Sequence, residues 1–134
     1  MQNYFNWLKS IPESEAKQLS PLTLAFVGDA VYSLYVRRRE TLRSEDKLCL
    51  LQKRTSDCVS AKGQSDLLER VEKKFTQTEE EIYHRGRNAK KSTKSKNASV
   101  IDYNRSTGFE AVLGYLYLTG QYERIETIIE DNAE

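Results

Sequence analysis

Apolar positions recur at three- and four-residue intervals along most of the chain, the spacing of amphipathic helices. Leu48, Leu51, Thr55 and Val59 form one such stripe within a helix predicted over 46–59. Leu67, Leu68, Val71 and Phe75 form a second. Val112, Leu113, Leu116 and Tyr117 form a third, and Ile125, Ile128 and Ile129 mark a last helix. Start and stop signals accompany them. Thr78 with Glu81, and Thr107 with Glu110, have the T-x-x-E form of a capping box, and Gly120 supplies a stop after the second.

One segment reads two ways. Leu22 to Val36, LTLAFVGDAVYSLYV, alternates well enough for two strands joined at Gly28-Asp29. Against this, Ser20 is a good N-cap and Pro21 suits the first helical position. A lone hairpin would also have no sheet to join. As a helix the segment is apolar on nearly all sides, which predicts a central, buried element. The expected fold is all-α: one domain, a bundle of about six or seven helices around a single core. Phe5, Trp7 and Leu8 are expected to form a short helix packed on that core.

Composition narrows the function. A chain of 134 residues with 38% hydrophobic and 31% charged residues can bury a core without disulfides or metal. No apolar run is long enough to span a bilayer, and MQNYFNWLKS lacks the form of a signal peptide, so a cytoplasmic location is expected. Cys49 and Cys58 form no CxxC motif. The single histidine, His84, excludes a multi-histidine zinc site and weakens any Ser-His-Asp or Cys-His scheme. The net charge of +1 hides a segregation: Arg85 to Lys96, RGRNAKKSTKSK, contains six of the 21 basic residues and no acid. Elsewhere acid exceeds base, so the stretch points to a polyanion contact, phosphate above all, over a merely solvated loop.

Two carboxylates are candidates for chemistry. Asp29 is the only charge between Lys17 and Arg37, within the segment expected to be buried. A buried carboxylate is costly unless paired, hydrogen-bonded or bound to a cation. A buried arginine partner or a helix cap would also account for it. Gly28 beside it leaves room for close approach of another helix or a ligand. Glu110 opens the apolar run FEAVLGYLYL, where a capping box alone could explain it. Taken together the pair suits Mg²⁺, which accepts one or two carboxylates, waters and substrate phosphate oxygens.

These residues carry a resemblance. L-A-F-V-G-D-A at 24–30 is similar to the signature helix of the ribonuclease III family, usually L-E-F-L-G-D-A, and F-E-A at 109–111 resembles its second acidic motif, D-x-x-E-A. Val59-Ser60-Ala61-Lys62, R-G-R-N-A-K from Arg85 to Lys90, and S-T-x-F-E-A-x-L-G-Y-L from Ser106 to Leu116 follow in the order of the Mini branch of that family. The resemblance covers about 18–130, nearly the whole chain. It implies an all-α dimeric endoribonuclease without a double-stranded RNA-binding domain. In that reading Asp29 and Glu110 are catalytic and bind Mg²⁺, with Mn²⁺ as a substitute. Lys62, Arg85, Arg87, Asn88, Lys90 and, beside them, Lys91 contact double-stranded RNA. Phe26 packs on the partner of a homodimer. Products carry a 5′-phosphate and a 3′-hydroxyl, and the branch trims the ends of precursor 23S ribosomal RNA. The rival expectation is a non-catalytic double-stranded RNA-binding protein on the same fold.

The chain departs from longer family members. Ala25 replaces the signature glutamate, Thr107 the aspartate three residues before Glu110, and Ala61 an acid between the motifs. Two of the usual four core carboxylates, those at 25 and 107, are thus absent, as in the Mini pattern, and weaker metal affinity is expected. RNA affinity is expected to come from the catalytic surface itself, and to be modest and salt-sensitive.

Overall fold

A computed structural model describes residues 9–43, 45–91 and 99–130. Within them are seven α-helices: α1 (Glu13–Lys17), α2 (Pro21–Arg43), α3 (Leu48–Val59), α4 (Ala61–Val71), α5 (Gln77–Asn88), α6 (Val100–Leu118) and α7 (Tyr122–Ile129). A single 3₁₀ turn, Glu72–Lys74, follows α4, and Phe75 lies just beyond it. No strand occurs among the described residues, so the all-α expectation holds and the hairpin alternative for 22–36 fails. The Ser20 hydroxyl accepts from the Leu22 amide at 3.2 Å, and Pro21 takes the first position of α2. Phe5, Trp7, Leu8 and residues 92–96 of the basic stretch lie outside the described residues.

Helix α6 is the axis of the core. Phe109, Ala111, Val112, Leu113, Tyr115 and Leu116 are all buried, because α1, α2, α4, α5 and α7 pack around it. Tyr32 of α2 meets Phe109 edge-on, with ring centroids 5.6 Å apart, a favourable geometry for two aromatic quadrupoles.

Two predicted helix starts are displaced. Helix α6 begins at Val100, where the Ser99 hydroxyl accepts from the Asp102 amide at 3.0 Å. Thr107 is therefore in mid-helix, and its hydroxyl donates to the Tyr103 carbonyl at 2.9 Å rather than capping anything. The other capping box exists two residues earlier than expected: Thr76 accepts from the Glu79 amide, and Glu79 accepts from the Thr76 amide. Gly120 does provide the stop after α6, with φ of 75°.

The burial expected for α2 holds on one face only. Leu24, Ala25, Gly28, Tyr32 and Val36 are buried, but Phe26 is 80% exposed and Leu34 69%. Asp29 is exposed as well, contrary to expectation. The buried acids are elsewhere. Glu40, 3% exposed, accepts from Arg54 Nε at 2.8 Å and ties the end of α2 to α3. Glu79 pairs with Arg124 Nε at 2.8 Å and ties α5 to α7. Each buried charge is paired, as its desolvation requires.

Candidate active site

The site is built by a helix crossing that only glycine permits. A Cβ on Gly28 would lie 1.7 Å from the Glu110 carbonyl oxygen, and one on Gly114 would lie 1.9 Å from that of Leu24. With hydrogen at both positions, α2 and α6 touch backbone to backbone. Close approach of another helix is thus the use to which Gly28 is put. Asp29 follows Gly28, and Glu110 is one turn before Gly114, so the crossing brings two carboxylates 81 positions apart to the wall of one cavity of about 450 Å³. Gln64, Lys91, Phe26 and Leu22 also line it.

Glu110 is pushed up to about 8 from an ordinary carboxyl value, above all by burial. A hydrogen bond from Gln64 pulls the other way, while the charge of Asp29 and a hydrogen bond with it raise the value further. Among the described residues no lysine or arginine forms an ion pair with either carboxylate. Nor does a third acid, cysteine or histidine join them to complete a larger cluster. Two carboxyls on the wall of one cavity, neither ion-paired to a lysine or arginine among the described residues, form a donor set suited to a hard divalent cation. The capping explanation of Glu110 no longer applies, since its helix starts ten residues earlier. His84 lines a different cavity, with Lys17, Glu81 and Arg85.

The described basic residues named above make different contacts. Lys91 reaches the carboxylate cavity, but its ammonium donates to the carbonyls of Gly86, Arg87 and Ala89 at 3.1, 3.2 and 2.8 Å. All three of its protons are thereby used to cap α5. Arg85 donates to the Lys17 and Leu19 carbonyls at 3.2 and 3.4 Å, bracing the junction of α1 and α2. Arg87 lies over the Tyr83 ring at 5.5 Å and donates to the Asn88 carboxamide oxygen at 3.1 Å. Lys90 and Asn88 are exposed. Lys62, on α4, pairs with Asp66 at 2.6 Å on an exposed face, a contact that solvent screens. The apolar row Leu22, Phe26, Ala30, Leu34 runs along α2 at four-residue intervals on its exposed side.

Sequence reasoning missed Gln64. A signal was present: it lies three and four residues before Leu67 and Leu68, on the stripe that faces the core. A polar residue on an apolar stripe is the anomaly that marked Asp29, and Gln64 is in fact 2% exposed.

Comparison with known proteins shows the family. The model of the Ribonuclease III domain matches residues 22–121, a span that includes both carboxylates and Gln64. The Mini-ribonuclease 3 of Streptococcus pneumoniae is 47% identical over 113 residues, 83% of this chain and 88% of the relative. That of Clostridium tetani is 39% identical over 132 residues, 97% of this chain and 86% of the relative. A crystal structure of a Fusobacterium nucleatum protein superposes with a TM-score of 0.77 at 30% identity, covering 86% of this chain and 92% of that one. No helix among the described residues is long and apolar enough to cross a membrane. The matched domain and these relatives show that the chain belongs to the ribonuclease III family, in its Mini-ribonuclease 3 group.

Proposed function

We propose that this endoribonuclease of double-stranded RNA works with Mg²⁺ held between Asp29 and Glu110, with Mn²⁺ able to replace it. The observation that supports this most is the unneutralised carboxyl pair facing one cavity. When bound, the ion would supply Lewis-acid activation of the scissile phosphate and of a water. Asp29, exposed at the cavity, is open to solvent and substrate, whereas half-buried Glu110 is the fixed member of the pair. Ionisation of Glu110 is the condition for holding the cation, so its proton must leave before the site is competent.

The substrate we infer is the precursor of 23S ribosomal RNA, cut near its ends to leave 5′-phosphate and 3′-hydroxyl termini. Lys62, Arg87, Asn88 and Lys90 are offered to the RNA backbone. Arg85 and Lys91, engaged with carbonyls, contribute charge more than new hydrogen bonds. The working unit in this reading is a homodimer. Its support is the row Leu22, Phe26, Ala30, Leu34, apolar and exposed on the single chain.

The test is a magnesium titration with an end-labelled RNA duplex. The wild-type chain loses intact strand as magnesium rises. Asp29→Asn, which removes a charge and little volume, binds the duplex, keeps its fold and cuts at least about a thousandfold more slowly, a loss of some 4 kcal/mol of transition-state stabilisation. Normal turnover by that variant would end the metal reading.

A further inference from the structure

We propose that Gln64 is the positioning residue of Glu110: its carboxamide is pinned to the end of α3, holds one carboxylate oxygen of Glu110 by a donated hydrogen bond, and leaves the other for the cation. This inference rests on the metal reading above and adds to it a residue outside both acidic motifs. Gln64 Nε2 donates to the Val59 carbonyl at 2.9 Å and to Glu110 Oε2 at 3.0 Å. Both partners are acceptors, and both protons of the amide nitrogen are thereby used. Reversing the amide would set oxygen against the Val59 carbonyl, so the observed orientation is dictated by chemistry.

The arrangement has a cost. Gln64 Oε1 is buried and has no hydrogen-bond partner. A methionine would fill the same space with no orphaned oxygen, so stability alone does not account for an amide here. What the amide adds is a fixed donor against a cation-binding oxygen. Groups that orient ligands in this way set metal affinity and geometry. Orientation matters more in a site with two carboxylates than in one with four, because each ligand bears more of the ion's binding. Val59 is the last residue of α3, so the same bond chain joins the α3–α4 junction to Glu110.

Two variants separate positioning from packing. Gln64→Met keeps length and removes the donor, and Gln64→Glu keeps shape and sets an acceptor against two acceptors. Mn²⁺ is titrated calorimetrically into the RNA-free protein, with Asp29→Asn as control, and cleavage is followed at limiting and excess magnesium. Gln64→Met should bind Mn²⁺ about tenfold more weakly or worse. Its KM for RNA should be unchanged, and its kcat at limiting magnesium reduced and restored by excess. Gln64→Glu should bind no more tightly than the wild type. Wild-type affinity in Gln64→Met, with Asp29→Asn impaired, would overturn this inference alone. Tighter binding by Gln64→Glu would also overturn it, by making position 64 a direct ligand. A wild-type chain that binds no Mn²⁺, or an Asp29→Asn variant that binds it normally, would overturn both this inference and the metal reading.

Discussion

At the scale of single residues, the two carboxylates do different work because their surroundings differ. Asp29 is exposed, while Glu110 is half-buried with its value raised to about 8. A carboxyl whose value rises on folding favours the folded state while it is protonated. That contribution is full below its unfolded value of about 4.5 and is lost as pH climbs to about 8. Without divalent ions, the stability difference between Glu110→Gln and the wild type should therefore grow with pH across this window, in favour of the variant. Chemical denaturation at pH 4.5, 6.5 and 8.5 reads it directly. A constant difference would mean that Glu110 ionises in the folded chain as it does in water. The same proton competes with the cation, so the magnesium needed for half-maximal cleavage should fall as pH rises towards 8. Both acids were legible in the sequence, though Asp29 for the wrong reason. An interrupted apolar run reads as a buried charge whether the helix faces are covered by its own chain or left open. Lys91 and Arg85 could not be told from free cations, because carbonyl partners such as Gly86, Lys17 and Leu19 leave no trace in side-chain chemistry.

At the scale of elements, the crossing of α2 and α6 makes the site. Helical periodicity predicts α6, the Ser20-Pro21 start and the lack of a sheet to join predict α2, and Gly28 hints at a close approach. Gly114, buried in an apolar run, gave no sign of being its counterpart, since pairing across 86 positions is a tertiary fact. Helix ends were less legible. In T-Q-T-E-E-E two threonines and three glutamates offer competing capping boxes, and the one that forms joins Thr76 to Glu79, whose carboxylate also pairs with Arg124. Gly28→Ala should cost about 3 kcal/mol or more, because the clash is with backbone that no rotamer change can relieve. It should also lower cleavage at temperatures well below its melting point by parting Asp29 from Glu110. Thermal melts and single-turnover rates on the same sample test both halves. A stable variant with full activity would show that the helices can separate without harm to the site.

At the scale of the whole molecule, the exposed apolar row on α2 and the carboxylate cavity adjoin, since Leu22 and Phe26 belong to both. A surface this apolar beside a site for a polyanion is explained if another copy of the chain covers the row. Phe26→Ala should then favour monomers. Two truncated rings at roughly 1.5–3 kcal/mol each raise the dissociation constant by at least about a hundredfold. Sedimentation velocity across a dilution series measures this, and an unchanged profile would place the interface elsewhere. The basic stretch reads in the sequence as a polyanion contact, and in its described part Lys91 caps α5, Arg85 braces the start of α2, Arg87 lies over Tyr83 and Lys90 is exposed. Charge density is legible in a sequence; the direction each side chain takes is not.

In the proposed reading Asp29 and Glu110 share one divalent cation. A crystal of the protein grown with Mn²⁺ above pH 8, its anomalous scattering recorded at the manganese edge, tests this most directly. The expected result is a peak within about 2.5 Å of an oxygen from each carboxylate. A peak bound to neither, or none at saturating Mn²⁺, would contradict it.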